Sequence, residues 1–186
     1  MYKRQDLNQR VDSALGDDAN GLSDSDKNAK VAAMGQRGLS RLDDATLLRR
    51  VQLYKIALDA SDEATCAAVF RSSMEGPVSD DDANRMLGGL TTDQFGEWAE
   101  IWVQALEAEA TGAPPARSVS DDQSNGMFEA LFAAISQDDF ATIQALSAGT
   151  VVTDAAACQA NRALYTAGFG LDGANLALFA LTDVAP

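Results

Sequence analysis

Cys66 and Cys158 are the only two cysteines of the 186-residue chain, and they share a setting. Ser61-Asp62-Glu63-Ala64-Thr65-Cys66-Ala67-Ala68 is echoed by Thr153-Asp154-Ala155-Ala156-Ala157-Cys158-Gln159-Ala160. Several kinds of thiol chemistry compete for them. A redox pair usually needs Cys-x-x-Cys or a nearby resolving thiol, and neither cysteine has one locally. A zinc site needs about four ligands, and the chain has no histidine. A disulfide would close 92 residues of separation. By loop entropy that is worth roughly 4–5 kcal/mol. Two buried free thiols are the remaining reading, since cysteine packs as a small apolar residue among alanines. The even count and the matched settings favour the disulfide. The octapeptide echo is too short to imply a duplicated fold.

A second candidate is aromatic and acidic. Phe95, Trp98 and Trp102 lie on one predicted helix with Glu97, Glu100, Glu107 and Glu109. Trp98 and Trp102 are four apart and share a face. Such a platform could stack a sugar ring while a glutamate serves as general acid, a carboxylate-dependent hydrolase. The favoured reading makes the three aromatics core, packed against Leu47, Val51, Tyr54 and Leu58.

Other chemistry is excluded by residue type or context. Without histidine there is no Ser-His-Asp or Cys-His catalysis and no Glu-x-x-His metal pattern. Gly168-Phe169-Gly170-Leu171-Asp172-Gly173 fits Gly-x-Gly-x-x-Gly in letters, but a helical stretch precedes it where a dinucleotide fold needs a strand. It reads instead as a helix stop at Gly168 or Gly170 and a restart at Asp172. Asp121, Gln123, Asn125 and Gly126 match half of a calcium loop, yet Phe132 stands where a bidentate glutamate is required. That segment reads as a capped helix. No cofactor or metal is expected.

These side chains must be positioned by helices. Ser or Thr followed by acids recurs at 61–63, 79–82, 91–93, 120–122 and 153–154. A hydroxyl can cap a free backbone N–H there, and first-turn carboxylates meet the positive end of the helix dipole. Thr91…Gln94 and Ser120…Gln123 have capping-box spacing. Apolar stripes then predict helices over 3–15, 24–36, 43–60, 61–75, 80–88, 92–110, 121–136, 137–147, 154–167 and 172–183. Gly35 or Gly38 is expected to end the second, and Gly76-Pro77 the fourth. Only Gly149-Thr150-Val151-Val152 looks extended, too short for a sheet. The Pro/Gly loop at 111–117 separates two helical layers rather than two domains, because about 70 residues on its far side make a marginal core. The expected fold is all-α: one domain, 1–186, an irregular or orthogonal bundle of about ten helices stapled by one disulfide.

Charge narrows the partners. Twenty-eight acids face 14 bases, a net charge of −14. That disfavours nucleic acid and anionic membranes, and favours a protein with a basic surface. No apolar run reaches membrane-spanning length, and Met1-Tyr2-Lys3-Arg4 is followed by polar residues instead of a leader's apolar core. If the disulfide forms, the compartment is oxidising: periplasm or cell envelope, with an export signal or anchor removed. Otherwise the chain is expected in the cytoplasm. The expected function is that of a non-enzymatic extracytoplasmic helical protein that binds a protein partner. The hydrolase at Trp98/Trp102 is the alternative.

Overall fold

The computed structural model describes residues 2–16, 21–75 and 78–183. Among them are ten helices and no strand. The helices are α1 (Tyr2–Leu15), α2 (Asp24–Leu39), α3 (Asp44–Ala60), α4 (Glu63–Glu75), α5 (Asp80–Leu87), α6 (Thr92–Thr111), α7 (Asp121–Ala133), α8 (Gln137–Ser147), α9 (Asp154–Phe169) and α10 (Gly173–Thr182).

The acid-rich punctuation does what its chemistry requires. Ser23, Asp43, Ser79, Thr91, Ser120, Ser136 and Thr153 each hold an extended backbone, and each side chain accepts a backbone N–H of the following first turn. Both capping boxes form, at Thr91/Gln94 and Ser120/Gln123. Asp121–Gly126 are therefore the opening turns of α7 and not a loop. Each such cap is worth about 1 kcal/mol. The expected stop at Gly76-Pro77 lies outside the described residues.

Most boundaries fall within two residues of expectation, and three of the differences have a clear local reason. The helix predicted over 61–75 starts at Glu63, because Ser61 ends α3 and Asp62 takes the cap, accepting the Thr65 N–H at 2.8 Å. The helix predicted to reach 136 ends at Ala133, because Ser136 must adopt extended backbone to cap α8. And α2 runs through Gly35 and Gly38 to Leu39, because these glycines serve packing instead of termination. A Cβ at Gly38 would lie 1.8 Å from the Ala105 carbonyl oxygen, and one at Gly35 would lie 2.1 Å from the Trp102 ring. Their absence lets α2 approach α6 closely.

The central element is α3. Leu47, Val51, Leu53, Ala57 and Leu58 have no exposed surface. Leu53 sits about 200° around the helix from Val51, so α3 is buried on opposite sides, beyond the single stripe its sequence suggests. On one flank α1 and α2 lie on α6; on the other, α4 and α8 lie on α9, with α7 and α10 closing the end. The loop after α6 is pinned to the α2–α3 junction. Arg41 donates to the carbonyls of Gly112 (3.1 Å) and Pro114 (2.9 Å), and the Arg117 N–H donates to Ser40 O at 3.0 Å. The chain forms an irregular, all-α, single-domain bundle.

Candidate functional site

The cysteines meet. Cys66 on α4 and Cys158 on α9 form a disulfide with a Cα–Cα distance of 5.1 Å, inside the range a relaxed bond needs. The two settings are not equivalent in register, however. Asp62 caps α4 four residues before its cysteine, whereas Thr153 caps α9 five residues before. Around the bond Ala67, Ala157 and Ala160 are completely buried, so the two backbones come close. Asn161, also buried, donates to the Cys66 carbonyl at 3.5 Å. Arg71 ties the edge of the seam, donating to Asp154 (2.7 Å) and to the Val152 carbonyl (2.9 Å). A reactive thiol needs a partly exposed, electropositive setting. This one is sealed, which suits a structural staple.

The three aromatics divide. Trp98 is buried in the core cluster that holds Leu47, Val51 and Leu58, with Tyr54 packed against it. Trp102 is half-buried and covered by Gly35 of α2. Phe95 does not join the core; it is 51% exposed. It lies two turns before Trp102, the residue that Gly35 meets.

Phe95 stands in a groove of about 1680 Å³ along α6, walled by α1 and α2 on one side and by α3 and α5 on the other. Among the described residues Asp6, Asp93, Glu97 and Glu100 line it, with Arg49 as the one cation. Gly96 lies open, with no atom within 4 Å of where a Cβ would be.

The α6 glutamates are held by arginines. The Arg10 fork donates to Glu107 through Nε and Nη2, both at 2.7 Å, and Nη1 donates to Glu100 at 2.7 Å. Arg37 and Arg41 share Glu109 at 2.6 and 2.9 Å, and Arg49 pairs with Glu97. The Arg10 hydrogen bonds hold the Glu107 carboxyl below its ordinary value, and those of Arg37 and then Arg41 do the same for Glu109. A general acid needs the opposite displacement. Among the described residues no group of three or more Cys, Asp or Glu side chains is placed to hold a metal ion.

The other letter-level motif resolves structurally. The Gly168–Gly173 run is the end of α9 at Phe169, its cap at Gly170, and the cap of α10 at Asp172. Gly168 is pressed on Phe179, whose ring would lie 2.4 Å from an added Cβ.

One polar cluster escaped the sequence reading. Arg50 passes over the Trp98 ring, 5.1 Å from its centroid, and pairs with Asp183 at 2.5 Å. The Tyr165 hydroxyl donates to the same carboxylate at 2.6 Å, and Tyr54 packs its ring 4.8 Å from that of Tyr165. Burial, then the Asp183 charge, pushes both tyrosines above their ordinary range. The cluster locks the end of α10 to α3. Its partners are 133 residues apart, so no local spacing could signal it. Comparison with known protein families, with curated proteins and with solved structures finds no match for the chain.

Proposed function

We propose that this is a non-enzymatic, extracytoplasmic helical protein that binds a protein partner with a basic surface through the groove along α6. The observation that carries the reading is the combination inside that groove. A large aromatic, Phe95, stands half in solvent, and among the described residues four carboxylates line the groove, Glu97 paired with Arg49, Glu100 with Arg10, and Asp6 and Asp93 with no ion pair. Exposed aromatics flanked by charge are what interfaces use as anchors, and complementary charge speeds and orders the encounter. The net charge of −14 extends the same field over the whole molecule. The buried disulfide supports an oxidising compartment, since such bonds rarely persist among reducing thiols. No helix among the described residues is long and apolar enough to cross a membrane.

Photo-crosslinking tests this reading. A benzophenone amino acid replacing Phe95 should trap a protein with a basic surface in the compartment where the chain accumulates oxidised. The adduct should vanish on Asp93→Arg substitution. The same probe at Val151, which is 95% exposed on the loop between α8 and α9, supplies the background. An adduct pattern at Phe95 no different from that at Val151 would refute a partner surface here.

A further inference from the structure

We infer that the occupant of the α6 groove is a helical segment of the partner, with arginine along one flank and apolar side chains along the other. This rests on the reading of the groove as a partner surface, and three observations carry it.

The first is that α6 already receives one such helix from its own chain. On α1, Arg10 reaches Glu100 and Glu107 while Val11 and Leu15 pack beside Leu106 and Met34. A cation flank and an apolar flank on one helix are therefore what this face accepts. The second concerns the half of the groove beyond Arg10. Asp93 and Glu97 stand one turn apart on α6, and Asp6 faces the groove from α1. Asp6 and Asp93 form no ion pair among the described residues. Among the described residues Glu97 is held by an exposed pair with Arg49, the kind of contact that contributes little and exchanges readily. A planar guanidinium fits carboxylates in a two-pronged fashion that an ammonium does not, which selects arginine over lysine.

The third observation is shape. Gly96 opens the floor beside Phe95, and Ala99 continues the floor one turn on as a small residue. Small residues there let a second helix backbone come close, while Phe95 and Leu87 offer apolar surface to its side chains. The described residues contain no sheet edge on which an extended segment could add by backbone pairing. Both walls of the groove are helices.

Three synthetic peptides of roughly 18 residues, long enough for appreciable helicity, test the inference on the intact oxidised protein. One has a Leu/Ala face with arginine flanks, the second replaces arginine by glutamate, and the third keeps arginine but carries a central proline. Binding is read by anisotropy of a dye on the peptide. The arginine helix should bind and the other two should not. Phe95→Ala should weaken it about tenfold, the loss expected of an anchor residue. Asp93→Arg should weaken the arginine peptide and admit the glutamate one. Circular dichroism should show both variants folded, since both side chains are exposed. Equal binding of the arginine and glutamate peptides would overturn the inference. So would indifference to Phe95→Ala, or a proline peptide that binds as well as the helix. If none of the peptides binds while crosslinking at Phe95 still traps a basic protein, the helical occupant is wrong and the partner reading stands. If the arginine helix binds as expected and nothing is trapped, the partner reading is the one that fails.

Discussion

The seam between α4 and α9 and the face of α6 that carries α1 and α2 solve one problem in two ways. Each must attach peripheral helices to the bundle around α3. The α4–α9 seam uses small side chains and a covalent bond: Ala67, Ala157 and Ala160 are fully buried beside Cys66–Cys158. The α6 face uses missing side chains and charge. Gly35 and Gly38 admit Trp102 and the Ala105 backbone, and arginines 10, 37 and 41 grip glutamates 100, 107 and 109. A covalent, dry seam answers to redox conditions and hardly to salt. A face held by half-exposed ion pairs answers to salt and pH. The surface proposed to bind a partner is on the adjustable side, which is where exchangeable contacts are useful.

The sharpest break in this comparison is to remove the bond. Cys66→Ala with Cys158→Ala, or reduction under mild denaturant, should lower stability by about 4–5 kcal/mol on the loop-entropy account. For a chain of this length that is a fall in melting temperature on the order of 10 °C or more. Because the bond acts on the unfolded chain, amide exchange should show the loss wherever protection reflects global opening, with a further local loss in α4 and α9. An unchanged denaturation midpoint after full reduction would mean that the alanine packing alone carries the seam.

The next effect belongs to the other region. Gly38→Ala places a methyl where the Ala105 carbonyl oxygen already stands, 1.8 Å away, so α2 must lift from α6. Overpacking of this kind costs about 1–3 kcal/mol, and contact with backbone puts Gly38 at the upper end. Gly35 meets a side chain instead, the Trp102 ring. Gly35→Ala should therefore destabilise the wild-type protein but be tolerated or favourable in a Trp102→Ala background, where the ring is gone. Denaturant melts of the four combinations give the coupling directly. Additive changes would show that Gly35 does not act through the Trp102 ring, and a gain from Gly35→Ala alone would show that helix propensity outweighs the contact.

How much of this contrast was legible in the residues follows from where each signal is stored. All ten helices could be read, because caps and apolar stripes are local and their chemistry acts within one turn. The pairing of Cys66 with Cys158 was readable for a different reason: two cysteines leave one possible bond. Gly35-x-x-Gly38 is in plain view, but its role is not. The same letters permit a stop or a close approach, and only the partner helix decides. The arginine–glutamate grips on α6 join residues 48 to 97 positions apart, and nothing in their neighbourhoods marks them as partners. Helical spacing groups Phe95 with Trp98 and Trp102. Spacing fixes the face but not how tightly a neighbour covers each position: Trp102 meets Gly35 of α2, whereas Phe95 stays 51% exposed.

The smallest effects concern those grips. Arg10→Gln should lower global stability by no more than about 1 kcal/mol, because Arg10 and its two glutamates are each a quarter or more exposed and water screens the pair. The pH dependence has a definite sign. Glu107 and Glu109 titrate below their ordinary value in the folded protein, by virtue of hydrogen bonds from Arg10 and from Arg37 and Arg41. Their contribution is fully present above the unfolded glutamate pKa, about 4.3. It is lost as pH falls through the depressed folded value. Acid also relieves the repulsion of a −14 chain everywhere, so total stability is the wrong observable. The ratio of exchange protection in α1 and α2 to that in α4 and α9 isolates the local term. That ratio should fall on going from about pH 7 to about pH 3, with Arg10→Gln flattening the change for α1 alone. Molar salt at neutral pH should lower it in the same way, since the screening length is then only about 3 Å. A ratio that ignores both acid and salt would mean that packing, through Val11 and Leu15 on α1 and through Gly35 and Gly38 on α2, and not charge, holds the two helices in place.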